Sequence, residues 1–284
     1  MWSCGWPAPA KVNLFLHVTG RRDDGYHTVQ TLFQFLDCGD ALAFRLRDDG
    51  VIHRRFGAHE VAADDDLAVR AARTLQQDCD VAHGVDIAVT KHVPAGGGLG
   101  GGSSDAATTL AALNNLWECG LSTAALARLG ATLGADVPVF LHGHAAWGEG
   151  VGDELTPFEA REACYLVVVP ATEVPTGRVF ADPELTRDHP LITIRDFLTG
   201  GAGNDCLPVV RARYPEVGRV LDWLASLGVT PRLSGTGACV FAAFADEGAA
   251  RAARQRLPSE WGGLVAHGRN RSALATRLDA DEAA

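Results

Sequence analysis

Apolar and polar positions alternate along residues 11–18, Lys-Val-Asn-Leu-Phe-Leu-His-Val, and again over 28–36. This period of two predicts half-buried strands. The polar run Arg21-Arg22-Asp23-Asp24-Gly25-Tyr26 between them predicts a turn. Strands are also expected at 41–47 and 51–55, joined as a hairpin at Asp48-Asp49-Gly50. The period then changes. Residues 67–77 fit a helix whose N-terminal dipole is favoured by Asp64-Asp65-Asp66, and 84–91 alternate as another strand. Ala106, Leu110, Leu113 and Trp117 recur at helical spacing, so 103–118 reads as a helix with one apolar stripe. Ser122 is placed to cap a further helix to Leu133, closed by Gly134. Asp136-Val137-Pro138 leads into Val139-Phe140-Leu141, and His142-Gly143-His144 is read on a strand.

The pattern breaks around 150–163, with Gly150, Gly152, Pro157 and a charged stretch. A domain boundary is placed there, giving domains 1–155 and 156–284. The second half predicts a strand at 164–169 and helices at 192–199 and 215–227. Gly228 stops the latter, a strand follows at 229–233, and Ser234-Gly235-Thr236-Gly237 forms a turn. A strand at 239–244, a helix at 247–256 and a strand at 263–268 complete a ferredoxin-like set, two helices on an antiparallel sheet. The class is α+β rather than a βαβ alternation.

Residues 94–105 are the most constrained stretch. Six of the seven residues from Gly96 to Gly102 are glycine, and Ser103-Ser104 opens the helix that follows. Backbone N–H groups of such a run can converge on an anion, as in a nucleotide's phosphate chain. A Walker loop needs a lysine after its last glycine, and Ser103 stands there. Gly96, Gly98 and Gly101 match a dinucleotide fingerprint only formally, and the acid at the right offset, Glu118, falls on a helix end. A flexible linker is disfavoured by Pro94 on one side and the helix on the other.

Composition narrows the picture. The 284 residues are 47% hydrophobic and carry a net charge of −10, which suits a full core and disfavours nucleic acid or an anionic membrane as partner. Seven scattered cysteines without a CxxC pair read as buried free thiols in a reducing cytoplasm. No leader pattern and no run of membrane-spanning length is seen, so a cytoplasmic location is expected. Of the 25 basic residues only Lys11 and Lys91 are lysine, a hint that a compact ammonium is needed there. Asn13 shares a strand face with Lys11. Asp136, between a helix end and Pro138, could serve as a general base or simply cap its turn. His142 and His144 have a metal-pair spacing but no third ligand. Arg54-Arg55 reads as surface, and Asp64-Asp65-Asp66 as a solvated helix start.

The glycine loop, Ser-Ser and alanine-rich helix resemble the GHMP kinases, small-molecule kinases with a non-Walker phosphate loop. Pro9-Ala10-Lys11-Val12-Asn13-Leu14 resembles their N-terminal motif, and Leu233-Ser234-Gly235-Thr236-Gly237-Ala238-Cys239 their third. Gly20-Arg21-Arg22-Asp23-Asp24-Gly25-Tyr26-His27 and Gly134-Ala135-Asp136-Val137-Pro138-Val139-Phe140 resemble one branch. Its members phosphorylate the 2-hydroxyl of a CDP-linked methylerythritol with ATP, in the non-mevalonate route to isoprenoid precursors. The resemblance runs nearly end to end. It implies the GHMP two-domain fold, an N-terminal ribosomal protein S5 domain 2-like unit and a C-terminal ferredoxin-like unit.

The resemblance also implies roles. Lys11 and Asp136 would be catalytic. Pro94, Ala95, Gly96, Gly97, Gly98, Leu99, Gly100, Gly101, Gly102, Ser103 and Ser104 would hold ATP, with Asp66 and Lys91 near adenine. Asn13, Tyr26, His27, Thr176 and Phe180 would bind the substrate, Tyr26, His27 and Phe180 around the cytosine ring. Mg²⁺ is expected, with Ser103 or Ser104 as ligand or as helix cap; its ligands are otherwise undetermined, as is the oligomeric state. The family usually has asparagine at the position of Asp66; an acid there accepts a base N–H but cannot donate. Other readings are a homoserine- or mevalonate-type GHMP kinase, or a non-catalytic nucleotide sensor on the same fold. Tyr26, His27 and Phe180 argue against the first, and retention of Lys11 and Asp136 against the second.

Overall fold

A computed structural model describes residues 1–57, 61–200 and 202–282. The first half contains β1 (Ser3–Arg21), β2 (His27–Arg47), β3 (Ile52–Phe56), α1 (Leu67–Asp78), β4 (Gly84–Thr90), α2 (Gly101–Leu116), α3 (Thr123–Ala131), α4 (Val137–His142), β5 (Ala146–Glu149) and β6 (Glu154–Pro157). The second contains β7 (Cys164–Val169), α5 (Thr176–Ala181), α6 (Ile194–Leu198), α7 (Cys206–Arg213), α8 (Pro215–Ser226), β8 (Pro231–Leu233), β9 (Val240–Phe244), α9 (Glu247–Gln255), β10 (Gly262–Arg269) and α10 (Ala273–Glu282). The strands run β3-β4-β2-β10-β7-β9-β8, with β1 on β2, and β5 between β2 and β6.

The expected strands at 28–36 and 41–47 are one continuous β2. The glycine between them is not a break. A Cβ on Gly39 would lie 2.2 Å from the Ala8 carbonyl oxygen, so Gly39 lets β1 approach where its register shifts between Pro9 and Lys11. The hairpin at 48–50 does not form. β4 lies between β2 and β3, antiparallel to the first and parallel to the second. Parallel strands need a crossover, which α1 supplies, so the α+β fold contains one βαβ unit. A fully buried carboxylate fixes this order: Asp86 on β4 takes Arg45 and Arg47 of β2 and Arg55 of β3 at 2.5, 3.0 and 3.1 Å. Arg47 and Arg55 span the two strands that a hairpin would have paired directly.

Helix α2 has no single stripe. Every residue from Ser104 to Leu113 is buried, because α1, α3, α4 and β1 surround it. Val137–His142 is a helix, not a strand, with Pro138 in its first turn where a missing N–H costs nothing. In the second half β7-α8-β8-β9-α9-β10 forms a sheet ordered β10-β7-β9-β8, the ferredoxin-like arrangement. One apolar core gathers β2, β4, α1, α2 and α4; another gathers β7, β9, α7 and α8. β1 serves both, through Trp6 and Ala8 in the first and Leu16 and Val18 in the second. All seven cysteines are free; Cys164, Cys206 and Cys239 are buried, but Cys4 is exposed, contrary to expectation. No helix among the described residues is long and apolar enough to cross a membrane.

Candidate active site

Gly96, Gly98 and Gly100 have φ of +64°, +74° and +74°, conformations open to glycine without strain. Gly98 is also fixed by crowding: a Cβ there would lie 2.0 Å from the Ser234 carbonyl oxygen. The turn at 234–239 is what crowds it. Ser234 Oγ donates to Gly98 O at 2.8 Å, and the Ala238 and Cys239 N–H groups donate to Gly96 O and Gly97 O at 3.2 and 3.1 Å. The loop's carbonyls are thereby tied back, away from the helix start. Gly100 is the N-cap of α2. The first-turn N–H groups of a helix have no intrahelical acceptor, and the dipole favours negative charge there.

A Cβ on Gly100 would meet Phe140 at 2.8 Å and the Lys11 stem at 3.1 Å. Its absence lets Lys11 pass beneath the helix start. Lys11 is only 2% exposed. Its Nζ lies 3.1 Å from Asp136 Oδ2 and donates to Asn13 Oδ1 at 2.6 Å. Asn13 Nδ2 donates in turn to Thr31 Oγ1 at 2.9 Å. The buried ammonium is therefore both paired and hydrogen-bonded, the condition for keeping a charge there. Asp136 precedes α4, and its carboxylate makes no capping bond. It is 34% exposed and faces open space.

Two cavities meet at that carboxylate. One, of about 420 Å³, runs from Asp66 and Lys91 along the glycine loop. The other, of about 270 Å³, lies between Lys11, Asn13 and Phe180. Gly98, Ser103, Asp136 and Thr176 line both. A third cleft of about 470 Å³, lined by Leu14, Phe158, Arg161 and Arg232, shares no residue with them. Leu14 faces away from Asn13 on the strand, so that cleft lies behind β1.

In the glycine-loop cavity, the larger of the two that meet at Asp136, Lys91 Nζ bridges Asp40 at 2.5 Å and Asp105 at 2.7 Å. Burial pushes the Asp105 carboxyl up to about 7; Lys91 opposes the rise and Asp40 adds to it. The other Asp105 oxygen is buried without a partner. Asp66 caps α1 by accepting from Ala68 N at 2.9 Å, and pairs with Arg54 at 2.7 Å. In the second half, the Phe180 ring stacks on His27 with centroids 5.1 Å apart. Burial, then the Arg187 and Arg21 charges, hold His27 below its ordinary value.

A glycine cradle, a buried lysine–aspartate pair and two cavities meeting between them are the parts of a phosphoryl-transfer site. The family model for the GHMP kinases N terminal domain matches residues 66–144, and that for GHMP kinases C terminal matches 184–263. A 4-diphosphocytidyl-2-C-methyl-D-erythritol kinase of Alkalilimnicola ehrlichii is 56% identical over 281 residues, 99% of this chain and 96% of that protein. The chain belongs to the GHMP kinase family. Another protein of the same name, from Halorhodospira halophila, is 55% identical, covering 98% of this chain and 96% of its own. A crystal structure of 4-(cytidine 5'-diphospho)-2C-methyl-D-erythritol kinase superposes with a TM-score of 0.77 at 32% identity, over 94% of this chain and 99% of that one. This GHMP kinase is a small-molecule kinase.

The residues singled out from the sequence of this GHMP kinase fall into three groups. Lys11, Asn13, Thr176, Phe180, Asp136, Ser103 and the loop 94–102 line the joined cavities. Asp66 and Lys91 line the larger cavity, but with their charges already paired. Ser104, Tyr26 and His27 line neither: the Ser104 hydroxyl is buried without a partner, Tyr26 is 64% exposed on its turn, and His27 touches the smaller cavity's wall only by stacking on Phe180. Neither serine caps α2, since Gly100 does so through its backbone alone. Arg54 is not simply surface, being mostly covered and bound to Asp66. His142 ends α4, and His144 lies beyond a left-handed Gly143. Sequence reading missed Thr236, whose Oγ1 lies 2.9 Å from that of Thr176, and the carboxylates Asp40 and Asp105. The glycine turn signalled Thr236. Nothing local signalled Asp40, which reaches Lys91 only through the β2–β4 pairing.

Proposed function

We propose that this chain transfers the γ-phosphoryl group of ATP to the 2-hydroxyl of 4-diphosphocytidyl-2-C-methyl-D-erythritol. The observation that carries the reading is the Lys11–Asp136 pair at the junction of the two cavities. Triphosphate lies along the glycine loop, its β- and γ-phosphates on the N–H groups of α2's first turn. The acceptor hydroxyl enters from the smaller cavity. Asp136 accepts its proton, and the Lys11 ammonium offsets charge developing on the attacking oxygen. Asn13 orients Lys11 and the diol. Thr176 sits beside the reacting centre, held by Thr236. Asp66 and Lys91 border adenine, Asp66 as acceptor only. His27, Phe180 and, from its turn, Tyr26 hold the cytosine ring.

Mg²⁺ fits this site chemically, because the Ser103 hydroxyl is a hard oxygen donor at the junction of the two cavities. Ser103 would hold it, together with the phosphate oxygens. When bound, it neutralises phosphate charge. The names of the relatives favour this substrate over homoserine or mevalonate. The test is ATP consumption with the CDP-linked substrate beside homoserine and mevalonate. Turnover with the first alone is expected; preference for either of the others overturns the assignment.

A further inference from the structure

Arg187, on the segment after α5, spends its guanidinium on one small region. Its Nη2 donates to Phe180 O at 2.9 Å and Asp182 O at 2.6 Å, and its Nη1 to Leu185 O at 3.0 Å. Of the two N–H groups left, that of Nε lies 3.1 Å from His27 Nε2. Arginine has no acceptor and does not lose its proton. The His27 Nε2 atom must therefore be the acceptor, which makes the ring neutral and places its proton on Nδ1. Free histidine has no such constraint. Nδ1–H has no protein partner among the described hydrogen bonds. The charged groups around the ring agree: Arg187 faces it from the segment after α5, and Arg21, its register partner on β1, from the sheet. Both disfavour a second proton.

We propose that Arg187 is a positioning residue for substrate recognition: it sets the tautomer of His27, keeping Nδ1–H as a donor for the nucleobase, and anchors the backbone of Phe180 beside it. This rests on the reading that His27 and Phe180 meet the cytosine ring. A cytosine offers O2 and N3 as acceptors, so a fixed donor suits it. Without Arg187 the proton is free to move to Nε2, and the donor is lost from the substrate side in a share of molecules.

The test combines ring-nitrogen NMR with kinetics. In the wild-type protein without substrate, His27 is expected as the neutral Nδ1–H form; an Nε2–H form overturns the proposal. In Arg187→Gln, mixed tautomers are expected, with the KM for the CDP-linked substrate raised about tenfold and the KM for ATP unchanged. That defect should shrink as pH falls through the His27 titration, because a doubly protonated ring carries Nδ1–H again. A defect of constant size across pH marks a merely structural role and overturns the proposal. Arg187→Lys, which keeps charge and one donor, should recover part of the KM, and covers the case in which the glutamine variant does not fold. His27→Ala separates the two readings. If it leaves the substrate KM unchanged, the assignment of His27 to the cytosine site fails, while the NMR still decides whether Arg187 sets the tautomer.

Discussion

A buried lysine is costly unless its charge is answered, and Lys11 is answered by Asp136 and Asn13 together. Its rarity in an arginine-rich chain makes it legible from the sequence. Asp136 is legible there too as a candidate, but its neutral alternative, a turn cap, is discarded only by the absence of a capping bond and the closeness of Lys11. Asp136→Asn should lower kcat about 10²–10⁴-fold while the KM for ATP stays within a few-fold, as steady-state assays would measure. Near-normal kcat would remove it as the base. Asp105 makes a different prediction. Its carboxyl is raised from 3.8 to about 7, chiefly by burial. The folded state therefore binds more protons than the unfolded one between those values, and stability falls as pH rises. The cost is absent below about 3.8 and complete above about 7. Asp105→Asn should melt about 2–4 °C higher than wild type at pH 8, the gain narrowing toward pH 5. A gain independent of pH would show that ionisation of Asp105 is not its source.

The glycine run shows what an element's sequence can and cannot say. Six glycines signalled a backbone that takes unusual conformations and is closely approached. They could not say what crowds it. The answer is a turn more than a hundred residues later, whose Ser234 carbonyl would stand 2.0 Å from a Cβ on Gly98. Gly98→Ala should therefore do more than add the roughly 1–2 kcal/mol cost of a left-handed alanine. It should push the loop off the turn and lower kcat/KM for ATP by at least about tenfold, with the melting temperature reduced. Unchanged ATP kinetics would mean that the loop's path is not set by this contact. The failed hairpin carries a related lesson. Asp-Asp-Gly between two short strand patterns was a fair local signal, yet Asp86 draws the arginines of β2 and β3 to β4, and β4 takes the place between them. A three-residue turn competes poorly with a buried carboxylate holding three guanidiniums.

At the scale of the molecule, each core borrows from the other end of the chain. Leu274 on the last helix is fully buried in the first core, and that helix packs on β1 and α4. Leu16 and Val18, near the start, belong to the second. Leu274→Ala should cost about 2–5 kcal/mol in urea unfolding, although it lies more than 130 residues from the cleft's Asp136 in sequence. A loss under about 0.5 kcal/mol would mean that the last helix is not part of that core. The sequence by itself determined the local chemistry: the period of the strands and helices, the glycine loop, the scarce lysines, and the succession of strands and helices in the second half. Those signals are carried by neighbours along the chain, where propensity and spacing act. Tertiary structure decided strand order, the burial of α2 on every side, the tie between the two glycine turns, and the company kept by Lys91, Asp66 and His27. Each of these depends on groups that meet only after folding, so no short-range pattern could have held the information.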